Sequence, residues 1–250
     1  MKVLVSGARS GLGKYLKELL KSDEYNRDCV IDDFKFKKYD VIIHCAHDLI
    51  AGVDLIASNT ELTRKLLSVD HECFVYISSI DVYPPKSIGS EDLDINYLDL
   101  KNDYSISKLM SESLVRLYGN HPLILRPSAM LGKDIRENSL LKMFSKESTT
   151  LTLSSQSYFN YVLHEDIGDF IGYCITNKIE GIYNVASQDS VALIEIKNEY
   201  DLHDIVFGKY FYETTSIDSS KIIAEYPIFK KDSMQVIKYF INNIMLRDDE

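Results

Sequence analysis

The sequence predicts an α/β fold built on a doubly wound parallel sheet, with a small C-terminal substrate-binding lobe. Short apolar runs alternate with amphipathic helical patterns over the first 125 residues, which is the order of a parallel sheet with crossover helices. The 250 residues, 45% of them hydrophobic, can bury one sizeable core. We therefore expect a single Rossmann-like domain over residues 1–250, with the lobe formed by about 127–157 and 188–229.

Hydrophobic spacing predicts the individual elements. Apolar runs typical of buried strands lie at 2–6, 28–32, 40–46, 72–78, 121–125, 158–163 and 181–185. Helical spacing marks 12–21, 52–68, 103–118, a helix from about Asp166, and a C-terminal amphipathic helix from Ser233 to Leu246 that covers the sheet or a partner. Only nine residues separate Ile31 from Val41, so the crossover helix there is absent or one turn long.

A glycine-containing turn follows the first strand and precedes the first helix. Gly7 allows a tight turn, Gly11 lets a pyrophosphate approach the backbone, and Gly13 lets the helix lie close to the strand. The first N–H groups of the helix would face the anion. This pattern predicts a dinucleotide site, and the alternative is a plain glycine turn.

Two aspartates bear on which dinucleotide binds. Asp32 and Asp33 fall 19 and 20 residues after Gly13, close to the distance at which an acidic residue binds the ribose 2′-hydroxyl, which favours NAD. Both could instead form a turn after a strand. Arg9 inside the glycine turn could bind a 2′-phosphate, so NADP remains possible.

A tyrosine and a lysine one helical turn apart suggest proton transfer. Tyr104 and Lys108 are i, i+4 neighbours near the start of the helix at 103–118, and Ser79 lies 25 residues before Tyr104. A phenol ionises near pH ~10, so its use at neutral pH requires about 4 kcal/mol of stabilisation. An ammonium about 4 Å away supplies roughly that much. We expect Lys108 to lower the pKa of Tyr104 and Ser79 to hydrogen-bond the reacting oxygen. The alternative is a pair on a solvated helix face.

The glycine turn, Ser79 and the Tyr104/Lys108 pair together resemble the short-chain dehydrogenase/reductase superfamily. "VIIHCAH", "SSIDVYPP", "LRPSAMLG", "YFNYVLHEDIGDFI" and "GIYNVAS" resemble, in order, blocks of its extended branch, the NAD-dependent epimerase/dehydratase family that acts on nucleotide sugars. The likeness covers residues 1 to about 187. It implies cofactor contacts, beyond those named above, from Ser10, Leu12, Cys45, Ala46, His47, Asn59, Ser78, Arg126 and Pro127.

The resemblance also bears on the reaction and on the assembly. Dehydratases of this family carry an Asp-Glu pair where Ile80 and Asp81 stand, so reduction or epimerisation fits better than dehydration. Asp81, Ser128 and Arg136 are the expected substrate-binding residues, although epimerases commonly have Asn in place of Ser128. The helices at 52–68 and 103–118 form a dimer-making bundle in the family, which implies a possible homodimer.

Composition excludes several other classes. A formal charge of −10 with dispersed Lys and Arg argues against a nucleic-acid partner. No apolar run approaches the ~20 residues that span a bilayer, and no signal peptide is evident, so we expect a cytoplasmic protein. The four cysteines show no C-x-x-C spacing, and His44 and His47 point to opposite faces of a strand, so neither disulfides nor a metal is expected.

These observations predict an NAD(P)-dependent enzyme that reduces, oxidises or epimerises a hydroxyl-bearing carbon of a nucleotide-activated sugar. Tyr104 is the expected general acid/base, supported by Lys108 and Ser79. One alternative is a reductase of a small ketone or aldehyde that carries no nucleotide. Another is a non-catalytic dinucleotide-binding sensor or scaffold.

Overall fold

The computed structural model describes residues 1–49, 54–100, 102–145, 149–212 and 216–245. The strands in these residues are β1 (Val3–Ser6), β2 (Asp23–Tyr25), β3 (Lys38–His44), β4 (Asp70–Ile77), β5 (Ile88–Gly89), β6 (Pro122–Pro127), β7 (Ala129–Leu131), β8 (Thr149–Thr150), β9 (Tyr158–Phe159), β10 (Tyr161–Leu163), β11 (Gly181–Val185), β12 (Val191–Ala192), β13 (Ile205–Val206) and β14 (Ser216–Ile217).

The helices connect these strands and cover them. They are α1 (Gly11–Leu20), α2 (Asp32–Lys35), α3 (Leu55–Leu67), α4 (Asp103–Tyr118), α5 (Ser139–Met143), α6 (His164–Asn177), α7 (Leu193–Glu199), α8 (Ser220–Glu225) and α9 (Ser233–Phe240). Short 3₁₀ turns occur at Ile80–Val82, Tyr97–Asp99 and Pro227–Lys230, and a π-helical turn at Ile241–Met245 follows α9.

A six-stranded sheet in the order β11-β6-β4-β3-β1-β2 forms the centre of the fold, and all of its neighbouring strands are parallel. The chain runs outward from β1 to β2 and then crosses back to β3 on the other side of β1. The carboxyl ends of β1 and β3 therefore flank the topological switch point, which is where ligands bind in open α/β sheets. Ser6 and His44 pair in register at this edge.

Alternate residues of the sheet enter two separate hydrophobic clusters, as the pleat of a buried strand requires. In one cluster, strand residues such as Val5 and Ile43 pack against α1 and α6. The other packs Leu4 and Ile42 against α3 and α4. The sheet is thus buried on both faces.

A third cluster lies outside the sheet and joins β7, β10, α5, α7 and α9. Val236, Ile237 and Phe240 of α9 enter this cluster, so the C-terminal helix packs here rather than over the central sheet. Leu246, the predicted end of that helix, lies outside the described residues. Ile222 and Phe229, at the end of the predicted lobe segment 188–229, belong instead to the cluster around α6.

Most predicted elements are confirmed within a few residues, including the one-turn α2. The predicted helix at 52–68 is α3, and positions 52 and 53 lie outside the described residues. The strand predicted at 28–32 is wrong, because the second strand of the sheet is β2 at Asp23–Tyr25. The run 158–163 is two short strands, β9 and β10, of which β9 pairs with β12 and β10 with β7.

Candidate active site

The glycine turn has a geometry that only glycine fits at two positions. Gly7 has φ +75°, and a Cβ there would lie 2.7 Å from the backbone nitrogen of Ala46. A Cβ on Gly13 would overlap the carbonyl oxygen of Gly7. The loop is therefore bare backbone next to the end of β3, with the first turn of α1 directed at it. This cradle fits a dinucleotide pyrophosphate.

A loop that follows β7 lies over this turn. The N–H of Gly11 donates to the carbonyl oxygen of Asp134 at 3.2 Å, and the Lys14 ammonium pairs with the Asp134 carboxylate at 2.6 Å. The His164 ring, at the start of α6, packs against Gly132, and a Cβ added to Gly11 would lie 4.0 Å from its Cε1. Its Nδ1 is buried without a hydrogen-bond partner, and burial lowers its pKa to about 4.

The residues around β2 revise the prediction about the adenosine side. Asp32 and Asp33 open α2, and Asp32 pairs with Lys35 at 2.7 Å, so neither stands at the end of the second strand. Asp28 lies three residues beyond β2 and forms an ion pair with Arg9 of the glycine turn. The ribose role predicted for Asp32 and Asp33 therefore loses its geometric basis, and Asp28 is the carboxylate beyond β2 that contacts the turn.

The start of α4 is fixed by its cap. The Asn102 side chain accepts a hydrogen bond from the N–H of Ser105 at 2.9 Å, as a helix N-cap does. Tyr104 and Lys108 then lie on the helix face toward β4, where Lys108 is 3% exposed. Its ammonium donates to the carbonyl oxygen of Ile77 at 2.8 Å and lies 5.8 Å from the centre of the Tyr104 ring.

The pKa of Tyr104 does not move in the predicted direction. Burial raises it to about 12, and the hydroxyl of Ser79 only moderates this rise. Burial also lowers the pKa of Lys108 to about 8. The prediction that Lys108 lowers the pKa of Tyr104 is wrong for the protein in this state, because the ammonium is directed at Ile77 and desolvation dominates at the phenol.

Ser79 follows the end of β4 and caps the 3₁₀ turn Ile80–Val82. Its Oγ accepts from the N–H of Asp81 at 3.1 Å, and its hydroxyl interacts with both Tyr104 and the Asp81 carboxylate. The Tyr212 hydroxyl donates to Oδ1 of Asp81 at 3.4 Å. Partial loss of water raises the pKa of Asp81, although the residue as a whole is exposed.

His47 packs edge-on against Tyr104, with 4.7 Å between the ring centres. Its Nε2 is buried and makes no hydrogen bond. Burial, then repulsion from Lys108, lowers the pKa of His47 to about 3, so the imidazole is neutral at pH 7. An unpaired buried nitrogen beside the phenol fits a site that hydrogen-bonds a ligand.

Asn59 has a supporting position on α3. Its side chain accepts from the N–H of Asp48 at 2.7 Å and donates to the carbonyl oxygens of Asp48 and Leu55. This amide therefore holds the chain that leaves β3. His44 points the opposite way, into a buried contact between Ser6 at 2.8 Å and Thr63 at 3.1 Å.

Arg126 is not available to a ligand in this structure, contrary to the prediction. Its guanidinium is 4% exposed and forms a double hydrogen bond with the Glu112 carboxylate, at 3.0 and 2.6 Å. Burial opposes its charge, but the bonds from Glu112 outweigh this and raise the pKa of Arg126. The hydroxyl of Ser78 donates to the same carboxylate at 2.5 Å, so Ser78 also stabilises the buried Arg126–Glu112 pair.

The other predicted residues differ in exposure. Cys45 and Ala46 are half-buried at the end of β3, and burial raises the pKa of Cys45 to about 12. Leu12 belongs to the core, and Ser10 precedes α1 without a side-chain cap. Pro127 ends β6. Ser128 has a buried hydroxyl without a hydrogen-bond partner, whereas Arg136 is exposed and near enough to repel a charged His47.

Sequence reasoning missed Asp28, Glu112 and the position of His164. Asp28 was hidden by the misplaced second strand, and Glu112 is a single carboxylate in a helix with no distinguishing spacing. His164 begins the helix that the sequence predicts from about Asp166. Within the described ranges, no cluster of His, Cys, Asp and Glu could hold a metal ion, and no helix is long and apolar enough to cross a membrane.

Solved structures share this fold. The chain matches a dTDP-4-dehydrorhamnose reductase from Clostridium acetobutylicum at 18% identity and a TM-score of 0.75, covering 99% of this chain and 100% of that one. It matches a UDP-N-acetylglucosamine 4-epimerase from Bacillus cereus at 19% identity and a TM-score of 0.72. This match covers 96% of this chain and 98% of that one. A GDP-L-fucose synthetase from Naegleria fowleri matches at 16% identity and a TM-score of 0.74. This match covers 96% of this chain and 93% of that one.

Comparison with curated proteins gave no match. The family model described as "NAD dependent epimerase/dehydratase family" matches residues 3–186, which include the glycine turn, Ser79, Tyr104 and Lys108. The matched region is most of the chain and ends beyond the last strand of the central sheet. The chain therefore belongs to the NAD dependent epimerase/dehydratase family.

Proposed function

We propose that this protein is an NAD(P)-dependent oxidoreductase or epimerase that acts on a hydroxyl or keto carbon of a nucleotide-activated sugar. The observation that carries the proposal is the grouping of Ser79, Tyr104 and Lys108 at the carboxyl edge of the sheet, on the side of the glycine turn. The structures of similar fold named as a dTDP-4-dehydrorhamnose reductase, a UDP-N-acetylglucosamine 4-epimerase and a GDP-L-fucose synthetase support the substrate class.

Separate residues of the chain would bind the cofactor and transfer the proton. Gly7, Gly11 and Gly13 would hold the pyrophosphate, and a bound nicotinamide would supply or accept the hydride. Tyr104 would give a proton to the substrate oxygen in reduction and remove it in oxidation. Ser79 would hydrogen-bond that oxygen. A pKa of about 12 keeps Tyr104 protonated at neutral pH, so without cofactor the phenol is ready to act as an acid.

The cofactor proposal is NAD, with NADP as the alternative. The carboxylate of Asp28 is paired with Arg9, and this pairing partly cancels the positive charge that a 2′-phosphate would need. Mass determination of nucleotide released from the purified protein by denaturation would identify the cofactor directly. NADP among the released nucleotides would contradict the preference for NAD.

A tyrosine substitution tests the chemistry. Tyr104→Phe removes the acidic hydroxyl and should lower turnover by roughly 10²–10⁴-fold, while cofactor affinity stays nearly unchanged. Tyr118→Phe is the control, because it lies at the exposed end of the same helix. Assays would follow the nicotinamide absorbance and the sugar products with UDP-, GDP- and dTDP-linked sugars. Retention of full activity in Tyr104→Phe would refute the assignment.

A binding experiment tests the substrate class. Uridine, guanosine and thymidine diphosphates should be compared by thermal shift, because a ligand of the folded state raises its stability. Stabilisation by one of them supports a nucleotide-sugar substrate. No stabilisation by any of them favours the small ketone or aldehyde instead. We also propose a homodimer through α3 and α4, which the exposed Leu117 supports.

A further inference from the structure

A buried chain of hydrogen bonds lies beside the proposed cofactor cleft and contains a histidine that the proposed chemistry does not use. His44 and Ser6 end neighbouring parallel strands in register, so their side chains lie on the same face of the sheet. Nδ1 of His44 lies 2.8 Å from Ser6 Oγ, and its Nε2 lies 3.1 Å from Oγ1 of Thr63 on α3. All three residues are at most 1% exposed. The ring therefore joins the carboxyl end of β1 to α3.

The direction of each bond follows from the number of protons. Burial lowers the pKa of His44 well below its ordinary 6.5, so the ring is neutral and only one of its nitrogens carries a proton. The single hydroxyl proton of Thr63 is directed at the carbonyl oxygen of Asn59, at 2.9 Å, and at Ser111 Oγ, at 3.0 Å. Oγ1 of Thr63 therefore accepts from Nε2–H of His44, and Nδ1 accepts the hydroxyl proton of Ser6.

Ser6 connects this ring to the glycine turn. With its proton directed at the imidazole, the Ser6 oxygen accepts from the N–H of Ala46 at 3.2 Å. The same backbone nitrogen of Ala46 would lie 2.7 Å from a Cβ on Gly7, so this backbone packs against the turn proposed to hold the pyrophosphate. The next residue, His47, packs against Tyr104 with 4.7 Å between the ring centres. The bond from Ala46 to Ser6 therefore holds the segment that lies between the glycine turn and the phenol.

We propose that His44 is a positioning residue for dinucleotide binding, which acts through Ser6 to keep the backbone of Ala46 against the glycine turn. The proposal rests on the proposed function, because it takes the glycine turn as the cofactor site. Without Nδ1 of His44, the buried hydroxyl of Ser6 would lack an acceptor, and this cost favours rotation of the side chain away from Ala46. The wall of the cleft would then move, although none of the residues proposed to hold the dinucleotide had been changed.

Two substitutions separate the two sides of the ring. In His44→Asn the amide oxygen lies near the former place of Nδ1, so the bond from Ser6 is kept and the bond to Thr63 is lost. In His44→Gln the longer side chain brings its amide to the former place of Nε2, so the bond to Thr63 is kept and the bond from Ser6 is lost. Both changes remove the ring and leave part of its volume empty, so a merely structural role predicts similar effects for the two.

The matched controls are His71→Asn and His71→Gln. His71 is a second buried histidine of the central sheet, at 4% exposure, and it also joins two groups. These are the carbonyl oxygen of Val69, at 2.6 Å, and the N–H of Asn120, at 3.2 Å. His71 lies at the amino end of β4, which is the sheet edge opposite the glycine turn. Urea unfolding verifies that each variant folds and compares the losses of stability.

The first test titrates NAD and NADP into each protein by calorimetry. His44→Gln should raise the dissociation constant of the dinucleotide that the wild-type protein binds by about tenfold, the equivalent of one net hydrogen bond. His44→Asn should raise it by less than about threefold. Both His71 variants should bind as the wild type does. Equal affinities of the two His44 variants would overturn the positioning role, whereas a wild-type protein that binds neither dinucleotide would reject the proposed function itself.

The second test needs no cofactor. A 3-fluorotyrosine at position 104 is followed by ¹⁹F NMR, and its signal reports the position of the His47 ring that packs against it. His44→Gln should shift this signal, because His47 moves together with Ala46. His44→Asn and both His71 variants should leave the signal close to that of the wild type. The same shift in both His44 variants would overturn the positioning role, whether or not the protein binds a dinucleotide.

Smaller changes repeat both tests if a His44 variant does not fold. Ser6→Ala removes the acceptor of the Ala46 N–H and replaces His44→Gln, whereas Thr63→Val removes the bond on the α3 side and replaces His44→Asn. Ser6→Ala should shift the fluorine signal and weaken dinucleotide binding, and Thr63→Val should do neither. Wild-type signal and affinity in Ser6→Ala would contradict the proposal.

Discussion

Lys108 illustrates at the residue scale how a site residue can oppose stability. The side chain is buried and its pKa falls from the ordinary 10.5 to about 8, mainly because burial disfavours the charged form. At 1.36 kcal/mol per pKa unit, the charged lysine costs the folded state about 3 kcal/mol. Its hydrogen bond to Ile77 recovers part of this cost. Stability alone does not explain a buried charge at this position, whereas a role in chemistry would.

Lys108→Met should consequently stabilise the protein while it abolishes turnover. Below pH 8 we expect a gain of about 1–3 kcal/mol in the free energy of unfolding, once the lost bond to Ile77 is subtracted. The gain should shrink as pH rises from 8 toward 10.5, because wild-type Lys108 then loses its charge in the folded state. Urea unfolding at both ends of this range measures the difference. A gain independent of pH would contradict the buried charge as its cause.

At the scale of elements, the contact between α1 and β1 depends on one glycine. A methyl group on Gly13 would overlap the carbonyl oxygen of Gly7, so the helix could not keep its distance from the glycine turn. The turn would have to open, and the alignment of the first N–H groups of α1 would change. Packing and the proposed cofactor site therefore depend on the same contact.

Gly13→Ala should lower the free energy of unfolding by at least 1–3 kcal/mol, the range for overpacked cores, and should weaken dinucleotide binding strongly. Gly172→Ala is the control, since it also lies in a helix but a Cβ there meets nothing within 4 Å. That change should stabilise the protein by roughly 0.5–1 kcal/mol, because alanine favours helices. Thermal unfolding and cofactor titration compare the two variants. Equal effects would show that the contact with Gly7 has no special role.

The success of sequence reasoning followed the strength of the hydrophobic pattern. β3, β4 and β6 carry long apolar runs because both faces of the sheet are covered, and their positions were predicted closely. β2 is a three-residue edge strand with two acidic residues, Asp23 and Glu24, so no periodicity marks it. The apolar Val30 and Ile31 drew the prediction to the wrong segment.

Within the candidate site, the features that the sequence did not predict depend on tertiary contacts. The spacing of Tyr104 and Lys108 on one helix face follows from their four-residue separation, and it was predicted correctly. The direction of the lysine head group depends on the carbonyl of Ile77, which comes from a strand 31 residues earlier. The pairing of Arg126 with Glu112 likewise joins a strand to a helix. Sequence alone gives no access to either contact.

At the scale of the whole molecule, one buried hydrogen-bond network connects the central sheet to α4 and to the segment that follows β4. Arg126 on β6 contacts Glu112 on α4 and donates to the Tyr83 hydroxyl at 2.8 Å. Tyr83 in turn donates to the side chain of Asn184 on β11 at 2.6 Å. Ser78, next to Ser79 of the proposed site, donates to Glu112. The network therefore fixes α4 and the end of β4 relative to each other.

Glu112→Gln should destabilise the protein by about 3–5 kcal/mol, because it leaves the charge of Arg126 buried without a partner. Glu72→Gln is the matched control. Its carboxylate pairs with Lys38 at 2.9 Å, but both side chains are 59% exposed. Such a surface pair contributes at most about 1 kcal/mol. Urea unfolding measures both variants, and a small effect of Glu112→Gln would mean that water enters the network.

The loop that crosses the glycine turn has a kinetic consequence. Asp134 presents a carbonyl to Gly11 and a carboxylate to Lys14, so the chain already offers its own oxygen atoms to donors that a phosphate would seek. Arrival of a dinucleotide at this turn would be an exchange of one oxygen ligand for another. The observed association rate would then level off at high cofactor concentration, because it would be limited by the rate at which Asp134 dissociates from Gly11 and Lys14.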